Sequence, residues 1–319
     1  MSLPLEPPLA PQLALSRKQL PEGEEYCYEV KLDGFRCLAF VDGEETFLQS
    51  RNGRPLGRYF PELVFPPGHY VLDGEIVVRD AAGREDFDAI GQRVHPAESR
   101  VRRLSVETPA VYVAFDLLAE GEDSLLDRSF AERRDALEEL LAGKLFARAP
   151  VELMETVATV REAERWLADA EGAIAKERAA PYRPGERKGM VKVKRVRTID
   201  AVVVGWRPGK EPDTVGALIL GLYDGPELRV VGHCSGLTAK EKRRLVGFLG
   251  PYESGERGSA DPSRWSAGKE LEWIALRPEL VVEIDFDHVS AGRIRHGAKL
   301  RRWREDKPPL ECTFEQLSS

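Results

Sequence analysis

The chain has 319 residues and a formal net charge of −7, with 42% hydrophobic and 32% charged residues. That length is generous for one core and suits two domains, and the composition is that of a soluble globular protein rather than a fibrous or disordered one. No apolar run reaches the span of a transmembrane helix, and the acidic total excludes a protein coated with positive charge while leaving local phosphate-binding surfaces open.

In chain order, the start MSLPLEPPLAPQLALS lacks a basic leader and is broken by Pro4, Pro7, Pro8 and Pro11, which predicts an extended arm over the surface. The stretch YEVKLDGFR (residues 28–36) then sets Lys31, Asp33 and Arg36 around a glycine turn after an apolar extended run. A lysine held beside other cations and partly desolvated loses basicity, and a neutral amine can attack phosphorus or carbonyl carbon. By itself such a tetrapeptide is more often a solvated hairpin turn.

Strand patterns follow at 37–41 and 46–50, joined by a hairpin turn at 42–45, then at 70–72, 76–79 and 111–118. Helical periodicity covers 130–141 and 160–170. Hairpin links predict an α+β unit with mostly antiparallel pairing. After Arg197, short strands at 200–206, 216–223, 227–232 and 280–287 surround one helix near 238–249. That pattern predicts a partly open OB-type barrel, so the expected domains are 1–198 and 199–319. Cys27, Cys37, Cys234 and Cys312 show no metal or disulfide spacing, which predicts free thiols in a reducing cytoplasm; His233 reads as a strand residue.

Several charged residues sit in patterns that need explaining. Glu75, among apolar strand residues, is either an exposed alternate-face side chain or a buried ligand. Glu171 repeats the arrangement in EGAIAK, which ends on Lys176. Two such carboxylates suit one hard divalent ion that keeps waters for phosphates. Lys192 and Lys194 alternate with valines, so a strand would point both to one face; a solvated edge pair is the alternative. Phe115 reads as core, although an aromatic face also stacks on a base. Basic clusters at 183–197, including Arg187, and at 293–307, including Arg293 and Arg295, are either solvated faces or phosphate-binding surfaces.

In order, KLDGFR, SRNG, LDGE, AFDLL, EGAIAK, VKVK and RWREDK resemble the collinear motifs of covalent nucleotidyltransferases, and within that group of ATP-dependent DNA ligases. PPLAPQLA, RPLGRYFPEL, DFDAIGQR, PYRPGERKG and DKPPLECT are similar to the small bacterial end-joining type that partners primase-polymerases. The resemblance implies a nucleotidyltransferase domain with ATP-grasp-like antiparallel sheets, followed by the OB barrel. It implies ATP as cofactor, with AMP carried covalently on Lys31, and Mg²⁺, or alternatively Mn²⁺. Glu29, Arg36, Glu75, Phe115 and Lys176 would bind the nucleotide, Arg36 and Glu75 at its sugar and Phe115 on adenine. Glu75 and Glu171 would hold the metal, Lys192 and Lys194 the α-phosphate. Asp33 would assist the DNA 3′-hydroxyl, and Arg304, Asp306 and Lys307 would orient pyrophosphate. Arg51, Arg187, Arg293 and Arg295 would contact DNA.

Further expectations from the resemblance are a monomer on nicked duplex DNA, cytoplasmic and nucleoid-associated, with no membrane, possible recruitment by Ku or a primase-polymerase, and a hinge at 195–200. Met190 departs from relatives that have an aromatic there. An RNA ligase, a GTP-dependent capping nucleotidyltransferase and a non-catalytic DNA-end-binding module are the alternatives.

Overall fold

The computed structural model describes residues 3–260, 271–290, 292–295 and 297–318. Two compact units emerge, Met1–Arg195 and Val196–Ser319.

The first unit is built on two sheets. One runs in the order Leu15–Ser16, Met190–Lys194, Gly172–Glu177, Tyr26–Val30, Thr156–Val157. Its pairings are antiparallel except the first. Strand alternation gives it two different faces. Tyr28, Ala173, Ala175 and Val193 pack with Ala163 and Trp166 of the Val160–Asp169 helix. The opposite face carries Glu29, Lys176 and Lys192, because Ile174 pairs with both Glu29 and Lys192 and the period-two alternation fixes the rest.

The second sheet orders Glu45–Ser50, Phe35–Gly43, Gly68–Val78, Ala110–Glu120 and Asp123–Ser124, with Val151–Leu153 parallel to Ala110–Glu120. The hairpin closes on Asp42 opposite Glu45, with Gly43 at φ +65°. Sequence pattern alone splits the long central strand at Asp73-Gly74, a turn-like pair. The chain instead runs straight through, because Asp73 is neutralised by Arg36 and a Cβ on Gly74 would lie 2.5 Å from the Tyr112 ring. The helices Phe87–Arg93 and Glu98–Glu107 also escape the sequence pattern. Helices Phe130–Leu141 and Val160–Asp169 start on reciprocal capping boxes, Ser129/Glu132 and Thr159/Glu162.

The proline-rich arm lies against this unit. Leu3, Leu5 and Leu9 pack on Leu38, Phe40, Val71 and Leu118. Leu9 exchanges two hydrogen bonds with the Gln49 side chain, at 3.0 and 2.7 Å.

In the second unit, Arg197–Pro208 pairs with Val215–Asp224, which pairs with Glu227–Gly236. That strand pairs in parallel with Ala298–Trp303, which meets Val281–Phe286, and this last strand returns to Arg197–Pro208. The circuit closes a five-stranded barrel. Helix Ala239–Leu249, capped by Thr238 and Glu241, follows its third strand, and a hairpin of Glu253–Ala260 with Leu271–Leu276 extends the sheet from the first. This order, one parallel pair in an otherwise antiparallel closed barrel, is the OB arrangement.

Candidate active site

Three strand ends of the first sheet bring the reactive groups together. Lys31 directly follows Tyr26–Val30, and its N–H donates to the Gly172 carbonyl at 2.9 Å. Gly172 pairs with Lys194 on its other side, and the Arg195 N–H donates to the Glu171 carbonyl at 2.9 Å. The approach is possible only without a side chain: at φ +149°, a Cβ on Gly172 would sit 2.1 Å from the Val193 carbonyl oxygen. Lys31 Nζ consequently reaches Glu171 Oε2 at 2.5 Å, and Lys194 Nζ lies 3.8 Å from Glu171 Oε1. One carboxylate thus bridges two of the site's amines.

Lys192 lies one alternation away on the same face. Burial holds its pKa below the ordinary value, and the charges of Lys31, Lys194, Arg51 and Arg187 lower it further. The exposed Arg51 and Arg187 therefore belong to the electrostatic surroundings of the amines. Asp33 is half-buried in the turn after Lys31 and contributes charge near Glu85.

The second sheet contributes from its own face. Glu75 pairs across the strands with Arg36. Burial raises its pKa to about 7, opposed by the charges of Arg36 and Lys31. Arg36 makes a two-pronged ion pair with Asp73, both bonds at 2.6 Å. Its guanidinium carbon lies 4.6 Å from the centroid of Phe115, and Lys176 Nζ lies 4.6 Å from the same ring. A base stacked on Phe115 would share that ring with two cations.

Lys176 does more than its sequence pattern indicates. It is 3% exposed, pairs with Glu29 at 2.8 Å and donates to the Phe115 carbonyl at 3.1 Å, tying the two sheets together. Burial pushes the Glu29 carboxyl up, against the pull of Lys176. Glu29 Oε1 is buried with no hydrogen-bond partner among the described residues. Asp73, Asp116, Arg133 and Tyr182 were not singled out from sequence. The first two stand inside LDGE and AFDLL, which was the available signal. Asp116 and Arg133 form a fully buried two-pronged pair at 2.7 and 2.9 Å.

Glu75 and Glu171 fit a hard divalent ion by chemistry. They lie within Coulombic reach of each other, and the raised Glu75 carboxyl makes no direct ion pair among the described residues. No cluster of three or more His, Cys, Asp or Glu side chains forms a cage among the described residues. Two protein carboxylates, with the remaining positions left to water and phosphate oxygens, are the set a Mg²⁺ ion accepts. A separate cavity of about 180 Å³ is lined by residues such as Cys27, Phe130, Arg134 and Arg178, and no site residue lines it.

In the second unit, Arg304 Nη1 donates to both oxygens of Asp200, at 2.8 and 2.9 Å, and Nε and Nη2 donate to Asp306 at 2.9 Å each. The hydrogen bonds from Arg304 hold the Asp306 carboxyl down at about 2. Lys307 pairs with Glu311 at 2.7 Å. All three groups are therefore engaged with charges of their own unit. Arg293 is exposed, and Arg295 is half-buried with its N–H donated to the His288 carbonyl.

Residues 7–194 match the family model described as the ATP dependent DNA ligase domain, and residues 211–307 match the ATP dependent DNA ligase C terminal region. The chain is 43% identical to DNA ligase C1 of Mycolicibacterium smegmatis, over 100% of this chain and 96% of that one. It is 33% identical to the multifunctional non-homologous end joining protein LigD of Pseudomonas aeruginosa, over 97% of this chain and 37% of the much longer relative. Among solved structures, mycobacterial DNA ligase D complexed with ATP and MES matches with a TM-score of 0.54 and 28% identity, covering 96% of this chain and 98% of that one.

Proposed function

The chain belongs to the ATP-dependent DNA ligases, and from that premise we propose that Lys31 is the residue that carries AMP between ATP and DNA. The observation that carries this assignment is the convergence of Lys31, Glu171 and Lys194 at adjoining strand ends, held by the Gly172 contact.

The Lys31 amine attacks the α-phosphorus, a nitrogen–phosphorus bond forms, the bond to the β-phosphate oxygen breaks, and pyrophosphate leaves. Glu171 Oε2, 2.5 Å from Nζ, is placed to take the proton that the ammonium must shed first. Lys192 and Lys194 face the charge that grows on the α-phosphate. A divalent ion on Glu75 and Glu171, Mg²⁺ or Mn²⁺, would neutralise phosphate charge and compete with Lys31 for Glu171. AMP then passes to a DNA 5′-phosphate, and the 3′-hydroxyl displaces it to close the strand, with Asp33 assisting.

Phe115 offers adenine its ring, and Glu29 Oε1, a buried acceptor with no donor among the described residues, suits the adenine amine. Arg36 and Glu75 address the sugar. Arg304, Asp306 and Lys307 serve pyrophosphate after exchanging their present partners, with 195–200 as the hinge. Arg51 and Arg187 support DNA phosphates beside the amines, and Arg293 and Arg295 do so on the barrel.

The likeness to LigD, named for non-homologous end joining, favours end joining as the setting. Ku or a primase-polymerase would be the recruiting partner in this reading. No helix among the described residues is long and apolar enough to cross a membrane. Action as a monomer at the nucleoid belongs to the same proposal.

Incubation with ATP labelled in the α-phosphate, denaturing electrophoresis and a chase with nicked DNA test this reading. Label should stay on the protein through denaturation and leave as nicks close. Label from GTP without sealing, sealing confined to RNA, or no adduct at all would overturn it.

A further inference from the structure

The N-terminal arm and Tyr182 of the PYRPGERKG segment take no part in the chemistry above, yet Gln12 of the arm meets Arg36 directly and Tyr182 meets its partner Asp73. Tyr182 is 1% exposed, and its hydroxyl sits between the Gln12 N–H, at 2.9 Å, and Asp73 Oδ2, at 2.7 Å. The Gln12 N–H can only donate, so the hydroxyl hydrogen must point to Asp73. Asp73, fully buried, thereby accepts from Tyr182 and twice from Arg36. Gln12 closes the ring, since its carbonyl accepts from Arg36 Nη2 at 3.3 Å. Its own side chain, 2% exposed with the residue, donates to the Lys188 carbonyl at 2.5 Å.

This leaves Arg36 little freedom. Of its five N–H groups, Nε and the two on Nη2 are committed to Asp73 and Gln12, and the Nη1 pair has no acceptor among the described residues. The guanidinium lies over the Phe115 ring, 4.6 Å from its centroid. Preorganised donors recognise a hydroxyl better than mobile ones, because the ordering cost is already met and a missing partner leaves them unpaired.

We propose that Gln12, Tyr182 and Asp73 form a buried relay that fixes Arg36 as the reader of the nucleotide's sugar, and so set the preference for a ribonucleotide over a 2′-deoxyribonucleotide cofactor. The proposal rests on the reading that Arg36 addresses the sugar. Tyr182 is a positioning residue in it: it never meets the nucleotide.

The experiment compares rates of lysyl-adenylate formation from ATP and from dATP in wild type, Tyr182→Phe and Arg36→Lys. Removing one hydroxyl frees Asp73 and Gln12 from about one hydrogen bond each, so the ATP-to-dATP ratio should fall about 5- to 10-fold in Y182F, through a weaker apparent affinity for ATP with dATP little changed. Equal losses for both nucleotides, or no loss, would mean a merely structural tyrosine and overturn the relay. A ratio that collapses in R36K but holds in Y182F overturns the relay alone; a ratio unchanged in R36K removes the sugar reading and the relay with it. Should Y182F not fold, Asp73→Asn, which removes the carboxylate that accepts from both Tyr182 and Arg36, must lower the same ratio, and an unchanged ratio there overturns the proposal equally.

Discussion

Gly172→Ala perturbs the site through a single methyl group, and its consequence can be worked out from distances. The new Cβ would stand 2.1 Å from the Val193 carbonyl oxygen and 2.9 Å from Lys194 Cα, whereas ordinary contact begins near 3.4 Å, so the neighbouring strand would have to retreat by about 1.3 Å. The backbone at φ +149° adds strain of about 1–3 kcal/mol for a residue with a side chain. Because that strand carries Lys192 and Lys194 while Gly172 adjoins Glu171 and receives the Lys31 N–H, the displacement acts on the reacting geometry itself. A misplacement of about 1 Å can cost about 100-fold in rate. Gly43→Ala is the matched control: φ is +65°, nothing lies within 4 Å of the added Cβ, and only about 1–2 kcal/mol of strain follows. Single-turnover formation of the protein–AMP adduct, with urea unfolding of the same preparations, separates the two. G172A should lose about 100-fold in adduct formation while remaining folded, and G43A should lose stability alone. Wild-type adduct formation in G172A would refute the claim that strand packing sets the distance from Lys31 to Glu171 and Lys194.

Two further outcomes follow from charge. Glu75 has a folded pKa of about 7 against an ordinary 4.5, so its protonated form is the one folding favours; that contribution is full below about pH 4.5 and is lost as pH rises through about 7. The metal-free wild type should therefore lose thermal stability relative to Glu75→Gln over that interval, while Mg²⁺-dependent adenylation gains, since only the carboxylate ligates; parallel profiles for the two proteins would contradict this. Asp116→Asn should cost about 3–5 kcal/mol in urea unfolding, because it leaves the buried Arg133 guanidinium without its counter-charge, and a loss under about 1 kcal/mol would show the pair to be dispensable.

Local sequence signals account well for some elements and poorly for others. The periodicity at 130–141 and 160–170 marks real helices because each buries one stripe and begins at a side-chain cap. Asp73-Gly74 interrupts the strand pattern between 70–72 and 76–79 because aspartate and glycine disfavour strands locally. What overrides that preference is a buried ion pair with Arg36, 37 residues away, and a tyrosine 109 residues away. The helix Phe87–Arg93 was missed for a similar reason. Arg93 looks like a solvent-facing charge, yet it is fully buried, with its guanidinium on Glu62 and on the carbonyls of Tyr59 and Thr108.

The candidate site divides in the same way. Lys31, Glu171, Lys192 and Lys194 could be picked out because glycine punctuation and period-two spacing are local. That Lys176 joins the two sheets through Glu29 and Phe115 depends on strand register, which no window of sequence contains. Arg304, Asp306 and Lys307 could be recognised as a charged motif, but their present partners, Asp200 and Glu311, follow only from the folded barrel.

The most direct measurement of the central claim is peptide mapping of the protein–AMP adduct, made with ATP and Mg²⁺ and kept away from acid, which cleaves a phosphoramidate. AMP should be found on the peptide that contains Lys31, should be absent from Lys31→Ala, and should disappear from that peptide in proportion to nicks closed when DNA is added. AMP on any other residue, or sealing by the Lys31→Ala protein at the wild-type rate, would contradict the account.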